Sequence, residues 1–134
     1  MDGTSTHFNV PTQAQGREQC LGPDGSVAHV TRVLKMIQGR WKLPILFRLY
    51  ADPALRSSAL LRDLPGVSQK MLTQHLRELE ADGLVHRIDY EEKPLRVEYR
   101  LSEDGLRLLP VLMAMRRFST GHATGLADPR ADAP

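Results

Sequence analysis

The segment LPGVSQKMLTQHLRELEADGLV, residues 64–85, decides the fold. Leu64-Pro65-Gly66 is a tight-turn signal, and Ser68 stands where a starting helix needs a side-chain acceptor for its free backbone N–H groups. Leu72, Leu76 and Leu79 then fall within an arc of about 60° if each residue advances ~100° around a helix axis, which predicts one buried stripe. Asp82-Gly83 supplies the left-handed signal that ends such a helix. Opposite the stripe lie Lys70, Thr73, Gln74 and Arg77. These types suit a nucleic-acid duplex: Arg and Lys reach guanine or phosphate, Gln pairs with adenine, and Thr offers a hydroxyl and a methyl. Any solvated helix face shows a similar set, so the neighbouring sequence has to decide between the two readings.

Upstream, Ser57 reads as the cap of a short helix holding Leu60, Leu61 and Leu64, and two helices joined by so tight a turn predict a helix-turn-helix. Before it, Leu55-Arg56 reads as a very short strand after the Asp52-Pro53 break. Trp41 to Tyr50 reads as a helix that tolerates Pro44 in its first turn. Val27 to Ile37 reads as another, capped by Ser26 and ended by Gly39, with Val30, Val33, Leu34 and Ile37 on one face. Trp41, opening an apolar helix, reads as core. Downstream, Val85, Arg87 and Asp89 alternate with His86, Ile88 and Tyr90 before Glu91-Glu92-Lys93-Pro94 and the run Val97–Leu101, which is a hairpin. Ser102-Glu103 starts a last helix reaching about Phe118, with Pro110 expected to bend or break it.

The order is four helices, two strands and a helix. It predicts a mainly α chain with a small β-hairpin: a winged helix-turn-helix DNA-binding domain over residues 26–120, with dimerisation helices at both ends. Residues 1–25 and 121–134, rich in Gly and Pro among polar residues, read as flexible tails. The expected DNA-binding residues are Ser68 and Gln69 at the helix start, Lys70, Thr73, Gln74 and Arg77 on its outer face, and Lys93 and Arg96 on the wing. Glu91 and Glu92 repel phosphate, so only one face of the wing is expected to approach DNA, with Arg96 the stronger candidate.

The last helix carries one apolar stripe of Leu108, Val111, Leu112, Met115 and Phe118 and a second of Leu106, Leu109 and Met113. One core needs one stripe. The second predicts an interface with a second chain, in which Leu106, Leu109 and Met113 join Val27 and Val30 of the first helix. Which stripe faces inward stays open.

Composition bounds the rest. A chain of 134 residues, 41% apolar and 25% charged, suits one soluble domain. Residues 26–122 hold 16 Lys/Arg against 11 Asp/Glu, so the basic excess sits in the expected domain. No apolar run is long enough for a membrane span, and no basic segment followed by an apolar stretch opens the chain, so a cytoplasmic protein is expected. Cys20, the sole cysteine, has no intrachain partner, and the five histidines lack zinc-site spacing. No cofactor, metal or catalytic set is expected, and hence no enzyme.

The chain resembles the HxlR-type family of winged-helix regulators, related in fold to MarR-type regulators. The likeness covers about residues 28–118 and rests on residues 37–42 (IQGRWK), 64–73 (LPGVSQKMLT), 76–85 (LRELEADGLV) and Arg96-Val97-Glu98-Tyr99 followed by Leu101-Ser102. It implies a homodimer that binds an inverted repeat of double-stranded DNA through the fourth helix and wing, with small-molecule effectors or reactive species regulating some members. Two departures stand out. His75 occupies a place where members often carry Arg, and reads either as a pH-dependent contact or as a partly buried side chain flanking the leucine stripe. Many members carry a sensing cysteine thirteen positions before the tryptophan, and here that residue is Ala28; Cys20 reads as an incidental thiol or a displaced sensor. The reading from another class is a winged helix used as a protein-interaction module, which would show neither steep salt dependence nor sequence preference on DNA.

Overall fold

The structure is a computed structural model that describes residues 14–122, and the chain divides into two compact units, residues 1–43 and 44–134. In the first, α1 (Ala14–Leu21) packs on α2 (Ser26–Ile37). Gly25 makes this possible: a Cβ there would lie 2.6 Å from the Gln19 carbonyl oxygen. Helix α1 falls where the sequence predicts only tail; it is short and polar and has no apolar period to announce it. The remainder of that predicted tail, residues 1–13, and residues 123–134 lie outside the described residues. Ser26 is the first residue of α2 rather than its cap, a place held by Gly25 without a side-chain bond. Gly39, at φ 108°, turns the chain out of α2, and Trp41 is buried as expected of a core residue, with the Arg40 guanidinium 4.9 Å above its ring.

The second unit takes in α3 (Lys42–Ala51) from Pro44 onward, followed by α4 (Ser57–Asp63) and α5 (Gln69–Ala81). Ile45, Leu46, Leu49, Leu60, Leu72, Leu76 and Leu79 are buried and form its core. Arg56, not Ser57, holds the cap position of α4, again without a side-chain bond. Arg48 ties α3 to α4, its Nε donating to Asp63 at 2.8 Å while its Nη1 bonds Asp52 one turn on. Strands β1 (Val85–Asp89) and β2 (Val97–Leu101) form an antiparallel hairpin in which Val85 faces Leu101 and Asp89 faces Val97. Leu55 adds a single bridge to Tyr99, the whole extent of the short strand predicted there. Helix α6 (Glu103–Gly121) runs unbroken through Pro110, so of the bend or break expected there the break does not occur. Leu106, whose carbonyl loses its partner to the proline, is exposed, so water can satisfy it.

The end of α5 and the start of α6 meet at one junction. Leu84 N–H donates to the Leu79 carbonyl and Gly83 N–H to that of Glu80, the paired bonds that finish a helix at a left-handed glycine, here with φ 79°. The carbonyls of Gly83 and Leu84 are taken in turn by Ser102, through its hydroxyl at 2.5 Å and its backbone N–H at 2.9 Å. The same hydroxyl oxygen accepts from Gly105 N–H at 2.9 Å and so caps α6. Gly105 has no room for a side chain, because a Cβ would lie 2.2 Å from the Leu84 oxygen.

This packing sets an expected outcome. Gly105→Ala forces backbone apart and should destabilise by about 1–3 kcal/mol, and Ser102→Ala should cost roughly 1 kcal/mol or more through the lost cap. Urea denaturation followed by circular dichroism measures both, and a Gly105→Ala protein as stable as wild type would show that the junction is looser than described.

Candidate nucleic-acid interface

Helix α5 presents its outer face because its three leucines are consumed by the core. Ser68 accepts from Met71 N–H at 3.1 Å, leaving other first-turn amides aimed out of the helix end, where an anion can meet them. Ser68, Gln69, Lys70, Gln74 and Arg77 are exposed and Thr73 is half-buried. Lys70, Thr73, Gln74 and Arg77 line one continuous stretch of surface with Glu78 and Ala81, so the expected set is brought together. Gln69 Nε2 donates to Thr73 Oγ1 at 3.3 Å, and Gln74 Nε2 to Glu78 Oε2 at 3.2 Å. Among the described residues no carboxylate pairs with Lys70 or Arg77, and both charges are available to a polyanion.

Glu78 was not singled out from the sequence, although it sits one turn beyond Gln74 and holds that amide. It also lies 3.7 Å from His75 Nδ1. His75 is half-buried on the flank of the leucine stripe, with Nδ1 enclosed and lacking a hydrogen-bond partner.

The wing separates its two predicted contacts. Arg96 stacks 3.8 Å above the Tyr90 ring and pairs with Glu92 at 3.4 Å and Glu98 at 3.5 Å, while the Tyr90 hydroxyl donates to Glu98 at 3.0 Å. Its guanidinium is engaged inside the wing. Lys93 is exposed at the tip beside Pro94 and Leu95, and Leu95, 69% exposed, was likewise not singled out. Glu91 takes a left-handed φ of 54°, and its N–H donates to the Asp89 carboxylate at 2.8 Å, closing the turn out of β1.

The predicted interface residues lie on two helices. On α2, Val27 and Val30 are exposed together with Leu34, one helical face. On α6, Leu112 is buried, Leu109 and Met113 are half-buried and Leu106 is exposed. The buried direction therefore runs between the two predicted stripes, and Leu106, Val111, Met115 and Phe118 remain exposed. Cys20 is a half-buried free thiol on α1, and Ala28 is half-buried on α2. Among the described residues no cluster of His, Cys, Asp or Glu could hold a metal ion, and no helix is long and apolar enough to cross a membrane.

The family model described as HxlR-like helix-turn-helix matches residues 36–125. The uncharacterized HTH-type transcriptional regulator YtcD of Bacillus subtilis (strain 168) is 45% identical over 93 residues, covering 69% of this chain and 73% of YtcD. A crystal structure of YtcD superposes with a TM-score of 0.64, covering 69% of this chain and 94% of that one. The redox regulator HypR in its oxidized form is 39% identical, with a TM-score of 0.61 over 69% of this chain and 90% of its own.

The wing geometry yields its own expected outcome. Arg96→Ala should loosen the hairpin, seen as faster amide hydrogen exchange at Tyr90 and Glu98, whose N–H groups point across the ladder, whereas Lys93→Ala should leave that exchange unchanged. Equal protection in both variants would mean that the Arg96 network does not hold the wing.

Proposed function

The chain belongs to the HxlR-like helix-turn-helix family, and from that premise we propose that it acts as a homodimer on an inverted-repeat operator, modulated by a small-molecule effector. It is a transcriptional regulator of the helix-turn-helix type and not an enzyme. The observation that carries the DNA reading is the outer face of α5, where Lys70 and Arg77 stand unpaired beside Gln74 and Thr73. In this reading α5 enters the major groove, Gln74 and Arg77 read base edges, and Thr73 contacts a base methyl or phosphate. Ser68, Gln69 and Lys70 hold the backbone at the helix start. Lys93 reaches a neighbouring phosphate from the wing tip, and Arg96 holds the wing in shape for it. The domain spans residues 26–120 with α2 and α6 as its dimerisation helices. HypR is named a redox regulator; in the present reading Cys20, a half-buried thiol with no intrachain partner, is incidental and the response is to a bound effector.

The dimer reading rests on apolar surface that each unit leaves uncovered. Val27, Val30 and Leu34 line an exposed face of α2, and Leu106 leads the exposed apolar side chains of α6, with Leu109 and Met113 beside it. A second copy of the chain covers both, and a two-fold pair sets its recognition helices about 34–36 Å apart, one turn of DNA.

Two outcomes test this. On a site recovered from a random DNA pool, Arg77→Ala or Gln74→Ala should cost about 1–3 kcal/mol, while Lys70→Ala should weaken all sequences and flatten the salt dependence. Fluorescence anisotropy at several salt concentrations measures this; unchanged affinity in all three would move the interface elsewhere, and absence of any sequence preference would favour the protein-interaction module. Val30 and Leu106 are 58% and 57% exposed, so a charge at either is tolerated by a folded single chain. Sedimentation should therefore find Val30→Glu/Leu106→Glu monomeric and folded at micromolar concentration, with tight operator binding lost. A wild-type chain that is itself monomeric would defeat the dimer.

A further inference from the structure

A concave site of about 560 Å³ lies in the second unit, and none of its lining residues belongs to α5. That size is within the roughly 300–1,000 Å³ of small-molecule sites. Leu49 of α3 and Leu106 of α6, with Pro53, give it apolar walls, and Leu101 borders it at the end of β2. His86 and Arg100 face each other across the hairpin, so their side chains stand on one side of the sheet, and both line the cavity. Glu103, in the first turn of α6, lines it too. Among the described residues neither Arg100 nor Glu103 has an ion-pair partner, and they do not pair with each other although they share the hollow. Tyr50 completes the wall, its hydroxyl already donating to the Gly105 carbonyl at 2.5 Å.

An unpaired guanidinium and an unpaired carboxylate over apolar walls complement a small zwitterion with an apolar tail. We infer that this hollow binds a free amino acid with an apolar side chain: its carboxylate on Arg100 beside His86, its ammonium on Glu103, and its side chain against Leu49, Pro53 and Leu106. Arg100 and Glu103 are exposed and hydrated in the free chain; a simple carboxylate would leave Glu103 opposing it and a simple amine would meet Arg100, so a ligand carrying both charges is favoured over either. The inference rests on the effector reading above and gives that effector a site and a chemical class. The site borders the junction of α6 with the end of α5, where Tyr50 holds Gly105 and Ser102 holds Gly83.

Isothermal titration of the full chain with L-phenylalanine and L-leucine tests it, alongside 3-phenylpropionate, which lacks the ammonium, and phenethylamine, which lacks the carboxylate. At least one amino acid should bind saturably at one per chain, and L-phenylalanine more tightly than either of its truncated analogues by about tenfold. Arg100→Gln and Glu103→Gln should each weaken the amino acid by about tenfold, and Glu103→Gln should also narrow the gap between phenylalanine and phenylpropionate, a change that general loosening of the fold would not produce. No saturable binding of either amino acid to wild type, or affinity unchanged in both variants, overturns the inference. Operator binding without added ligand is measured in parallel. A chain that binds operator but no probe fails this inference alone, and one that binds the probe but no operator upholds the site while the DNA reading falls.

Discussion

The peptide carbonyls of Gly83 and Leu84 emerge from the end of α5 with no helix left to receive them, and both are taken by Ser102. The Leu84 carbonyl lies in a buried residue, where a missing partner is costly, and the Gly83 carbonyl is held beside it, so this satisfaction fixes where α6 begins relative to where α5 stops. It also dictates side chains on both sides. Gly83 must be left-handed to finish α5, Ser102 must carry a hydroxyl that donates and accepts at once, and Gly105 must be bare because the Leu84 oxygen occupies its Cβ position. Between Leu84 and Ser102 the chain can only leave and return, which is what the β1–β2 hairpin does. The wing is thus the loop closed by this junction.

Charge is then divided by position. The wing carries Glu91, Glu92 and Glu98, an unfavourable load for anything that approaches phosphate. Arg96 offsets part of it by pairing with Glu92 and Glu98 over the Tyr90 ring, so the carboxylates are spent inside the hairpin and Lys93 remains at the tip. Helix α5 does the reverse: Lys70 and Arg77 stay unpaired, and Glu78 is drawn toward Gln74 and His75. The excess of basic residues in 26–122 matters less than this sorting, which leaves unpaired cations along α5 and at the wing tip.

Most of the fold was legible because it rests on local signals. The leucine period, the Ser68 and Ser102 caps and the Asp82-Gly83 stop are each set by side chains within a turn of the element they define, and α5 runs where they place it. Ser26 and Ser57 look like caps too, yet the backbone becomes helical one residue sooner, and no side-chain bond rewards the position. Helix α1 was illegible because its eight residues carry no amphipathic pattern; the sign of it is Gly25, whose need to be small appears only when α1 lies against it. The outer face of α5 was readable as the complement of its leucines. Arg96 was not, since its stacking on Tyr90 and its pairing with Glu98 depend on cross-strand register, as does the meeting of His86 with Arg100.

The same junction bears on how such a regulator could respond to anything bound away from α5. Tyr50 holds the Gly105 carbonyl from α3, Ser102 holds Gly83 at the end of α5, and Leu55 pairs with Tyr99 at the root of the wing. A displacement of the first turn of α6 therefore cannot be absorbed locally: the Ser102 hydroxyl would have to release either its own helix cap or the carbonyl that anchors α5. Packed elements with short hydrogen bonds and no space for a Cβ switch between discrete arrangements rather than deform smoothly. The exposed apolar side chains of α6 lie on the helix that this turn begins, so a partner covering them would act through the same Ser102 and Gly105 that set the end of α5. In the proposed dimer, the spacing between paired α5 helices and the seating of each one within its own chain would be controlled by one set of contacts, and a ligand at their edge would shift both by as much as its differential affinity for the two arrangements.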